Sequence, residues 1–249
     1  MAGHSKFKNI MHRKGAQDKK RAKLFSRLIR EISVATKLGS NDPDANPRLR
    51  TAINNALASN MTKDSIDRAI KKHSSNDDEN LIEEIIYEGF GPGGAAIIIE
   101  SMTDNKNRSV SEIRSTFSKY NGNLGISGCV KHNFKRFGVI SYDLKTCSFE
   151  NFFEFCSSLD VVDILENENT FDVLTDIEFF NSSLEILEKE FSIPKFSGLE
   201  WRPLNTVEIN NENDASKLLT LLEKLEELDD VQNIASNFNI NDTLMEKLI

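Results

Sequence analysis

Hydrophobic residues recur every three to four positions in the first third of the chain, which is the spacing of amphipathic helices. The first predicted helix runs from Asp18 to Leu38, and Gly39 is a typical stop. One arc of its helical wheel is apolar, and we expect five residues to pack there: Leu24, Phe25, Leu28, Ile29 and Ile32. Four cations fall on the opposite side: Lys20, Lys23, Arg27 and Arg30.

Residues typical of helix N-termini predict two further helices after the first. Asn46 followed by Pro47 is typical of an N-cap and a first helical position. Thr62 can cap a third helix. Their apolar faces would carry Leu49, Ile53, Ala56 and Leu57 in one helix, and Ile66, Ala69 and Ile70 in the other. Residues 1–75 are therefore predicted to form a helical domain preceded by a basic arm.

Beyond the polar linker 74–80 the pattern changes to short apolar runs and to period two, which indicates strands. The predicted strands are 84–88, 95–102, 129–134, 138–142, 161–165, 171–174, 201–209 and 231–238. The predicted helices are 105–119, 149–157, 177–191 and 214–228. Four aromatic residues are expected in a core: Phe152, Phe153, Phe179 and Phe180.

The order of these elements predicts the topology. Residues 138–209 follow the order strand, helix, strand, strand, helix, strand, which is the split βαβ arrangement. The middle segment has only part of such a unit, which the final helix and strand could complete. The chain is therefore predicted to be α+β, with a helical domain at 1–75, a discontinuous α/β domain at 81–134 plus 210–249, and an acidic α/β domain inserted at 135–209.

Charge is strongly segregated along the 249 residues, whose net charge is −8. Residues 1–75 hold 17 Lys and Arg against 6 Asp and Glu, whereas residues 139–249 hold 7 against 24. Within residues 1–30 there are ten cations and one acid. Such asymmetry points to a polyanion at the basic end, namely DNA, RNA or an anionic membrane. Nucleic acid is favoured over a membrane, because the first helix needs its apolar face for packing.

Lys and Arg in the arm and first helix would neutralise phosphates and release counterions, which makes binding sensitive to salt. A solvated charged tail is the alternative. Phe7 is the favoured aromatic for stacking on a base, with Tyr87, Phe90 and Trp201 as further options. The predicted nucleic-acid-binding residues are Lys6, Phe7, Lys8, His12, Arg13, Lys14, Lys19, Lys20, Arg21, Lys23, Arg27 and Arg30. We expect the acidic half to suppress loose binding to polyanions.

The remaining motifs predict no catalysis, cofactor or metal site. Segment 89–94 matches G-x-G-x-x-G, but a strand follows it, so a hairpin is favoured over a phosphate cradle. The four histidines lack metal-ligand spacing, and no nucleophile motif occurs. Asn107 and Arg108 open a helix, where they either contact a partner or cap it. No small-molecule substrate is expected.

Three cysteines, Cys129, Cys147 and Cys156, lack Cys-x-x-Cys spacing and are predicted to be free thiols in a reducing compartment. The longest apolar run, Ala95 to Ile99, is too short to span a bilayer. No secretory signal is visible at the start. We therefore expect a cytoplasmic protein that does not engage a membrane.

Several long segments resemble the YebC/PmpR family, and the similarity is dense over residues 2–134 and looser afterwards. The segments are Ala-Gly-His-Ser-Lys-Phe-Lys-Asn-Ile, His-Arg-Lys-Gly-Ala-Gln-Asp-Lys-Lys-Arg, Asn-Pro-Arg-Leu-Arg-Thr-Ala-Ile, Asn-Met-Thr-Lys-Asp-Ser-Ile-Asp-Arg-Ala-Ile, Tyr-Glu-Gly-Phe-Gly-Pro-Gly-Gly and Thr-Asp-Asn-Lys-Asn-Arg-Ser-Val. Phe7 stands where the family usually has tryptophan. The chain begins directly at the first motif, so the resemblance favours the bacterial cytoplasmic type over the mitochondrial one.

The resemblance implies a fold of three domains around a groove, one helical and two ferredoxin-like. It also implies a non-enzymatic regulator of gene expression, with the family described as probable transcriptional regulators that bind DNA. The first hypothesis for this chain is therefore a transcriptional regulator that binds duplex DNA. Mitochondrial relatives act as translational activators, and bacterial relatives are tied to stalled ribosomes. The alternative is therefore a ribosome-associated translation factor that binds ribosomal RNA. Both alternatives remain open on the residues alone.

Overall fold

Helices dominate the start of the chain, and strands alternate with helices in the rest. The computed structural model describes residues 17–74 and 82–248. Its helices are α1 Gln17–Leu38, α2 Pro47–Ala58, α3 Lys63–Ser74, α4 Lys106–Lys119, α5 Phe149–Cys156, α6 Phe180–Phe191, α7 Glu212–Glu226 and α8 Asp242–Leu248. Its strands are β1 Glu83–Phe90, β2 Ala96–Thr103, β3 Asn123–Leu124, β4 Phe134–Asp143, β5 Asp163–Glu166, β6 Thr170–Thr175, β7 Phe196–Pro203, β8 Val207–Glu208, β9 Val231–Ser236 and β10 Phe238–Asn239.

The described residues form two compact units. The first comprises 17–23, 82–135 and 201–248, and the second comprises 24–74 and 136–200. Helix α1 therefore contributes to both units. The division into three domains with the boundaries given above stays a prediction.

The helices α2 and α3 begin where their capping residues predict. The Asn46 side chain accepts a hydrogen bond from the Leu49 N–H at 3.1 Å, which caps α2. Its amide group also donates to the carbonyl oxygens of Ala35 and Ser40, at 2.8 and 2.7 Å. One buried side chain thus satisfies groups at the end of α1 and at the start of α2, which fixes the corner between them.

The sheet of the first unit has the order β3-β1-β2-β9. The central strand β2 is buried on both faces: Ile97 and Ile99 meet α4 and α7, whereas Ala96 and Ile98 meet Val130 and neighbouring apolar side chains. Antiparallel pairing of β2 with β9 joins segments more than 130 residues apart in sequence, for example Ile97 with Ser236. This pairing places β9, the last predicted strand, in the sheet of β1 and β2, as the predicted discontinuous unit requires.

The inserted segment has a sheet of order β5-β6-β4-β7, which is the ferredoxin-like arrangement of a strand-helix-strand-strand-helix-strand chain. Aromatic side chains of α5 and α6 fill its core, with the Phe152 and Phe171 rings stacked at 5.1 Å between centroids. The α+β fold class predicted from the order of elements is therefore confirmed.

Two predicted strands are misplaced. Residues 131–133 form a 3-10 turn, and a single strand, β4, begins at Phe134, so the predicted strand at 129–134 is wrong. The strand predicted at 201–209 begins earlier, at Phe196, and ends at Pro203. Beyond it only Val207–Glu208 pair, in parallel with Phe238–Asn239.

Some residues expected to be buried are exposed. Leu24 and Ile29 are 44% and 38% exposed, while Phe25, Leu28 and Ile32 between them on the helical wheel pack in the helical core. Helices α2 and α3 cover the middle of the apolar arc and leave its two edges in solvent. In the inserted segment, Phe153 and Phe179 are likewise exposed, whereas Phe152 and Phe180 are buried as predicted.

Candidate nucleic-acid interface

The predicted nucleic-acid-binding residues divide into three groups. Six lie outside the described residues: Lys6, Phe7, Lys8, His12, Arg13 and Lys14. Lys19 and Lys20 lie near the start of α1, where the structure describes only the helical backbone. Arg21 is exposed, and Lys23, Arg27 and Arg30 are partly buried along the same helix. The assignment of all twelve to nucleic-acid binding stays a prediction.

Helix α1 presents its cations over several turns because nothing interrupts it. Its 22 residues contain no glycine or proline, and Ala, Leu, Lys and Arg are strong helix formers. The helix ends before Gly39, where an added Cβ would lie 2.6 Å from the Asn46 amide nitrogen. The capped corner therefore also determines where the basic helix stops.

Lys23 has an acceptor within its own unit. Its Nζ donates to the carbonyl oxygen of Leu228 at 3.0 Å, just beyond the end of α7. A cation at that position satisfies one of the carbonyl groups that a helix end leaves unpaired. A phosphate contact by Lys23 would have to share or replace this bond.

Acidic side chains pair with several cations of the second unit. The Arg48 guanidinium donates to both carboxylate oxygens of Glu31, at 2.7 and 3.2 Å. Arg50 donates to Glu185 of α6 at 3.1 Å. The exposed cations of α3 are Lys63, Arg68, Lys71 and Lys72, and they share that helix with Asp64 and Asp67. The basic character of the helices is thus concentrated at the start of α1.

In the first unit, a buried carboxylate organises a loop that no sequence motif marks. Glu88 on β1 is only 3% exposed. Its carboxylate accepts hydrogen bonds from the backbone N–H groups of Gly128, Val130 and Lys131, at 2.7, 2.9 and 2.8 Å. Burial alone would raise the pKa of Glu88, but these three donors, helped by the Lys131 charge, outweigh it and lower the pKa.

Two of these bonds, from the Val130 and Lys131 amides, explain why residues 129–134 do not form the predicted strand. Amides captured by a carboxylate on β1 cannot also join a strand ladder, so the chain turns there instead. The only sequence signal is an acidic residue in an otherwise apolar part of β1, together with glycines some 40 residues later. Neither feature alone predicts that the Glu88 carboxylate contacts the glycine-containing loop.

Arg108 is part of an internal ion-pair network. Asn105, not Asn107, caps α4 by accepting from the Arg108 N–H at 3.1 Å. The Arg108 guanidinium donates to the buried Asp230 at 2.8 and 2.9 Å and to Asp104 at 2.8 Å. Asp230 also accepts from the hydroxyls of Thr103 and Ser109, at 2.9 and 2.6 Å.

Trp201 is a core residue in the structure, and this removes it from the options for base stacking. It is 8% exposed, and its indole N–H donates to Glu100 at 3.0 Å. Phe90 is 38% exposed, beside the turn between β1 and β2. That turn confirms the predicted hairpin: strands β1 and β2 pair along their whole length, and Gly93 and Gly94 adopt positive φ angles.

Side chains that could bind a metal ion or react as thiols occur in the described part of the chain. Among residues 17–74 and 82–248, no group of three or more His, Cys, Asp or Glu side chains is arranged to hold a metal ion. The three cysteines are free thiols, as predicted, and burial raises the pKa of Cys156 to about 12. None of the described helices has the length and hydropathy that a bilayer span requires.

Comparisons with known proteins cover nearly the whole chain. Residues 5–76 match the TACO1/YebC protein N-terminal domain, and residues 82–238 match the TACO1/YebC second and third domain. A protein of Rickettsia bellii is 49% identical over 100% of this chain and 98% of its own length, and one of Rickettsia canadensis is 51% identical over 97% and 96%. Both are named probable transcriptional regulatory proteins.

A solved structure is similar as well. The crystal structure of a conserved hypothetical protein from Aquifex aeolicus matches with a TM-score of 0.84 and 44% sequence identity. The match covers 90% of this chain and 92% of the other. The fold described above is therefore one that a related sequence adopts in a crystal.

Proposed function

The chain belongs to the TACO1/YebC family, and from this premise we propose that it is a non-enzymatic regulator of gene expression that binds duplex DNA through its basic N-terminal end. The names of the Rickettsia relatives, probable transcriptional regulatory proteins, support the regulatory role. The choice of DNA follows the same names, whereas the chemistry of the basic end requires only a polyanion.

One observation carries the proposal: ten cations against one acid in residues 1–30 of an acidic chain. The described end of this segment is the first turns of a continuous helix, so the spacing of its cations is regular at 1.5 Å of rise per residue. Each phosphate that such a cation neutralises releases a counterion, which makes affinity fall steeply with salt.

The acidic segment restricts where nucleic acid binds. Residues 139–249 carry a net charge of −17, which repels phosphates. Within the second unit Glu185 already neutralises Arg50, so this cation of α2 is less available to an external anion. Binding is therefore directed to the basic end and is selective for partners that reach it.

The first experiment is sedimentation of the full chain with purified ribosomes at physiological salt, with excess duplex DNA as competitor. The proposal predicts release from the ribosomes onto the DNA. Retention on the ribosomes would reject the DNA assignment in favour of the alternative, a translation factor that binds ribosomal RNA. Failure to bind either would reject nucleic-acid binding altogether.

A charge variant tests which residues are responsible. Changing Lys19, Lys20 and Arg21 together to Ala should weaken binding and reduce the slope of log affinity against log salt by about 3. The matched control removes three exposed cations of the acidic segment: Lys145, Lys189 and Lys195. An equal effect of both variants would mean that overall charge, and not the basic helix, determines binding.

A further inference from the structure

A second basic segment lies in the first unit, away in sequence from the arm. Residues 113–135 contain four Lys and Arg and no Asp or Glu, although the chain as a whole has more acids than bases. Lys131, His132 and Lys135 are exposed. This stretch of sequence therefore carries a net positive charge.

The same segment exposes an apolar side chain at the tip of a loop. Ile126 is 82% exposed, more than any other large hydrophobic residue for which the structure gives an exposure. Single exposed apolar residues are common on protein surfaces and carry no meaning alone. This one is informative because the loop around it is strongly constrained.

The constraints come from both ends of the loop. Glu88 holds the N–H groups of Gly128, Val130 and Lys131, as described above. An added Cβ at Gly125 would collide with the sulfur of Cys129, so glycine permits this close approach without a shift of the cysteine side chain. Gly128 has a φ of +86°, which favours glycine as well. The loop is therefore pre-organised with its tip in solvent.

The core below the loop also orients Lys131. Its Nζ lies 5.5 Å from the centroid of the Trp201 ring, within the range of a cation–π contact. Val130 and Phe134, on either side of the 3-10 turn, are 0% and 5% exposed. The turn is thus anchored at both ends, while Lys131 and His132 within it remain exposed.

We propose that residues 125–135 form a second nucleic-acid contact, in which Lys131, His132 and Lys135 bind backbone phosphates and Ile126 packs against a base or sugar. Apolar side chains at such positions are used to wedge against bases, and pre-organisation reduces the entropy lost on binding. Glu88 acts as a positioning residue, since it is buried and cannot reach the ligand. The proposal rests on the proposed function, because it requires that the chain binds nucleic acid.

The test uses the full chain and two fluorescent probes, a duplex DNA and an RNA stem-loop, with anisotropy measured over a series of salt concentrations. The double variant Lys131→Ala and Lys135→Ala should lower affinity and reduce the salt slope by about 2. Ile126→Ser should lower affinity about threefold to tenfold and leave the salt slope unchanged, because no charge is lost. Matched controls are Lys145→Ala with Lys195→Ala, and Ile193→Ser, which is 52% exposed in the acidic segment.

Both effects are required, and the absence of either one overturns the proposal. A loss of affinity for the RNA stem-loop alone would mean that residues 125–135 contact unpaired nucleotides. A loss of affinity for both probes would mean that they contact the phosphate backbone. Either result supports the proposed contact. If the loop variants bind as the unchanged chain does while the Lys19, Lys20 and Arg21 variant does not, the loop proposal fails and the proposed function stands. If the unchanged chain binds neither probe, both fail. Circular dichroism and thermal melting exclude unfolding as the cause of any loss.

Discussion

Asn55 and Ser197 exchange two hydrogen bonds, in which a side-chain amide pairs with a backbone amide. The Nδ2 group of Asn55 donates to the Ser197 carbonyl oxygen at 2.7 Å, and the Ser197 N–H donates to the Asn55 Oδ1 at 2.9 Å. Ser197 lies on β7, an edge strand of its sheet. The Asn55 side chain therefore makes the two hydrogen bonds that a neighbouring strand would make with Ser197. These bonds also join α2 to the inserted segment within the second unit.

Asn55→Ala should lower the free energy of unfolding by about 2–3 kcal/mol, because it leaves both backbone groups of a buried serine unpaired. Urea denaturation measures the change. Asn54→Ala is the matched control: its side chain makes one bond, to Glu188 at 2.9 Å, and should cost less than about 1 kcal/mol. Equal losses in the two variants would mean that the paired amides add nothing beyond an ordinary side-chain contact.

The Glu88 carboxylate should make stability depend on pH. Its pKa is lowered in the folded chain, so its contribution is fully present above the pKa of an unfolded glutamate, about 4.3, and is lost as the pH falls through the lower folded value. Glu88→Gln should therefore destabilise the protein by about 2–3 kcal/mol at pH 7, since the amide nitrogen cannot accept the backbone bonds. The difference from the unchanged chain should shrink below about pH 4.

Urea denaturation at pH 7 and at pH 3 measures this difference. Glu112→Gln, an exposed carboxylate of α4, is the control and should change stability by less than about 0.5 kcal/mol at either pH. A destabilisation by Glu88→Gln that stays constant down to pH 3 would show that the carboxylate charge is not what secures the loop.

Local sequence signals predict much of this fold because their causes are local. Asn46 and Pro47 start α2, and the glycines at 93 and 94 turn the β1–β2 hairpin, each through its own backbone preferences. The insertion follows from the order of elements alone. Helix α8, by contrast, carries no strong periodic signal over its seven residues and is not predicted.

What sequence patterns miss depends on contacts between distant segments. Residues 129–134 have the composition of a strand, yet Glu88 accepts hydrogen bonds from the Val130 and Lys131 amides, more than 40 residues away in sequence. Trp201 looks available for stacking until its indole N–H is seen to reach Glu100. The charge asymmetry of the sequence identifies the basic end. The constraint on the 125–135 loop cannot be predicted from the sequence, because it depends on Glu88 of β1 lying beside the loop.

Arg108 should matter for stability and not for nucleic-acid affinity. Its guanidinium bonds to Asp230 and Asp104 tie the start of α4 to the residue before β9, and both carboxylates would compete with any phosphate. These contacts raise the pKa of Arg108, first through the bond to Asp230. Arg108→Ala should cost about 1–3 kcal/mol, because the buried Asp230 loses its ionic partner.

The matched control is Arg114→Ala, which removes an exposed guanidinium from the same helix and should cost less than about 0.5 kcal/mol. Thermal melting compares the two variants, and anisotropy with duplex DNA shows whether Arg108→Ala binds as the unchanged chain does. A loss of affinity with unchanged stability would reverse the assignment and make Arg108 a contact residue.

The acidic segment should weaken binding to polyanions through long-range repulsion. Residues 139–200 of this segment belong to the second unit through β4, β7 and the Asn55–Ser197 bonds, and residues 201–248 belong to the first unit, so deleting the segment would disrupt the fold. Neutralisation is the cleaner test, and four exposed carboxylates are suitable: Glu150, Glu154, Glu178 and Glu190. Changing all four to Gln should raise the affinity for duplex DNA at 50 mM salt several-fold. At 0.5 M salt the screening length falls to a few ångströms and the gain should disappear, so an equal gain at both salt concentrations would contradict repulsion as its cause.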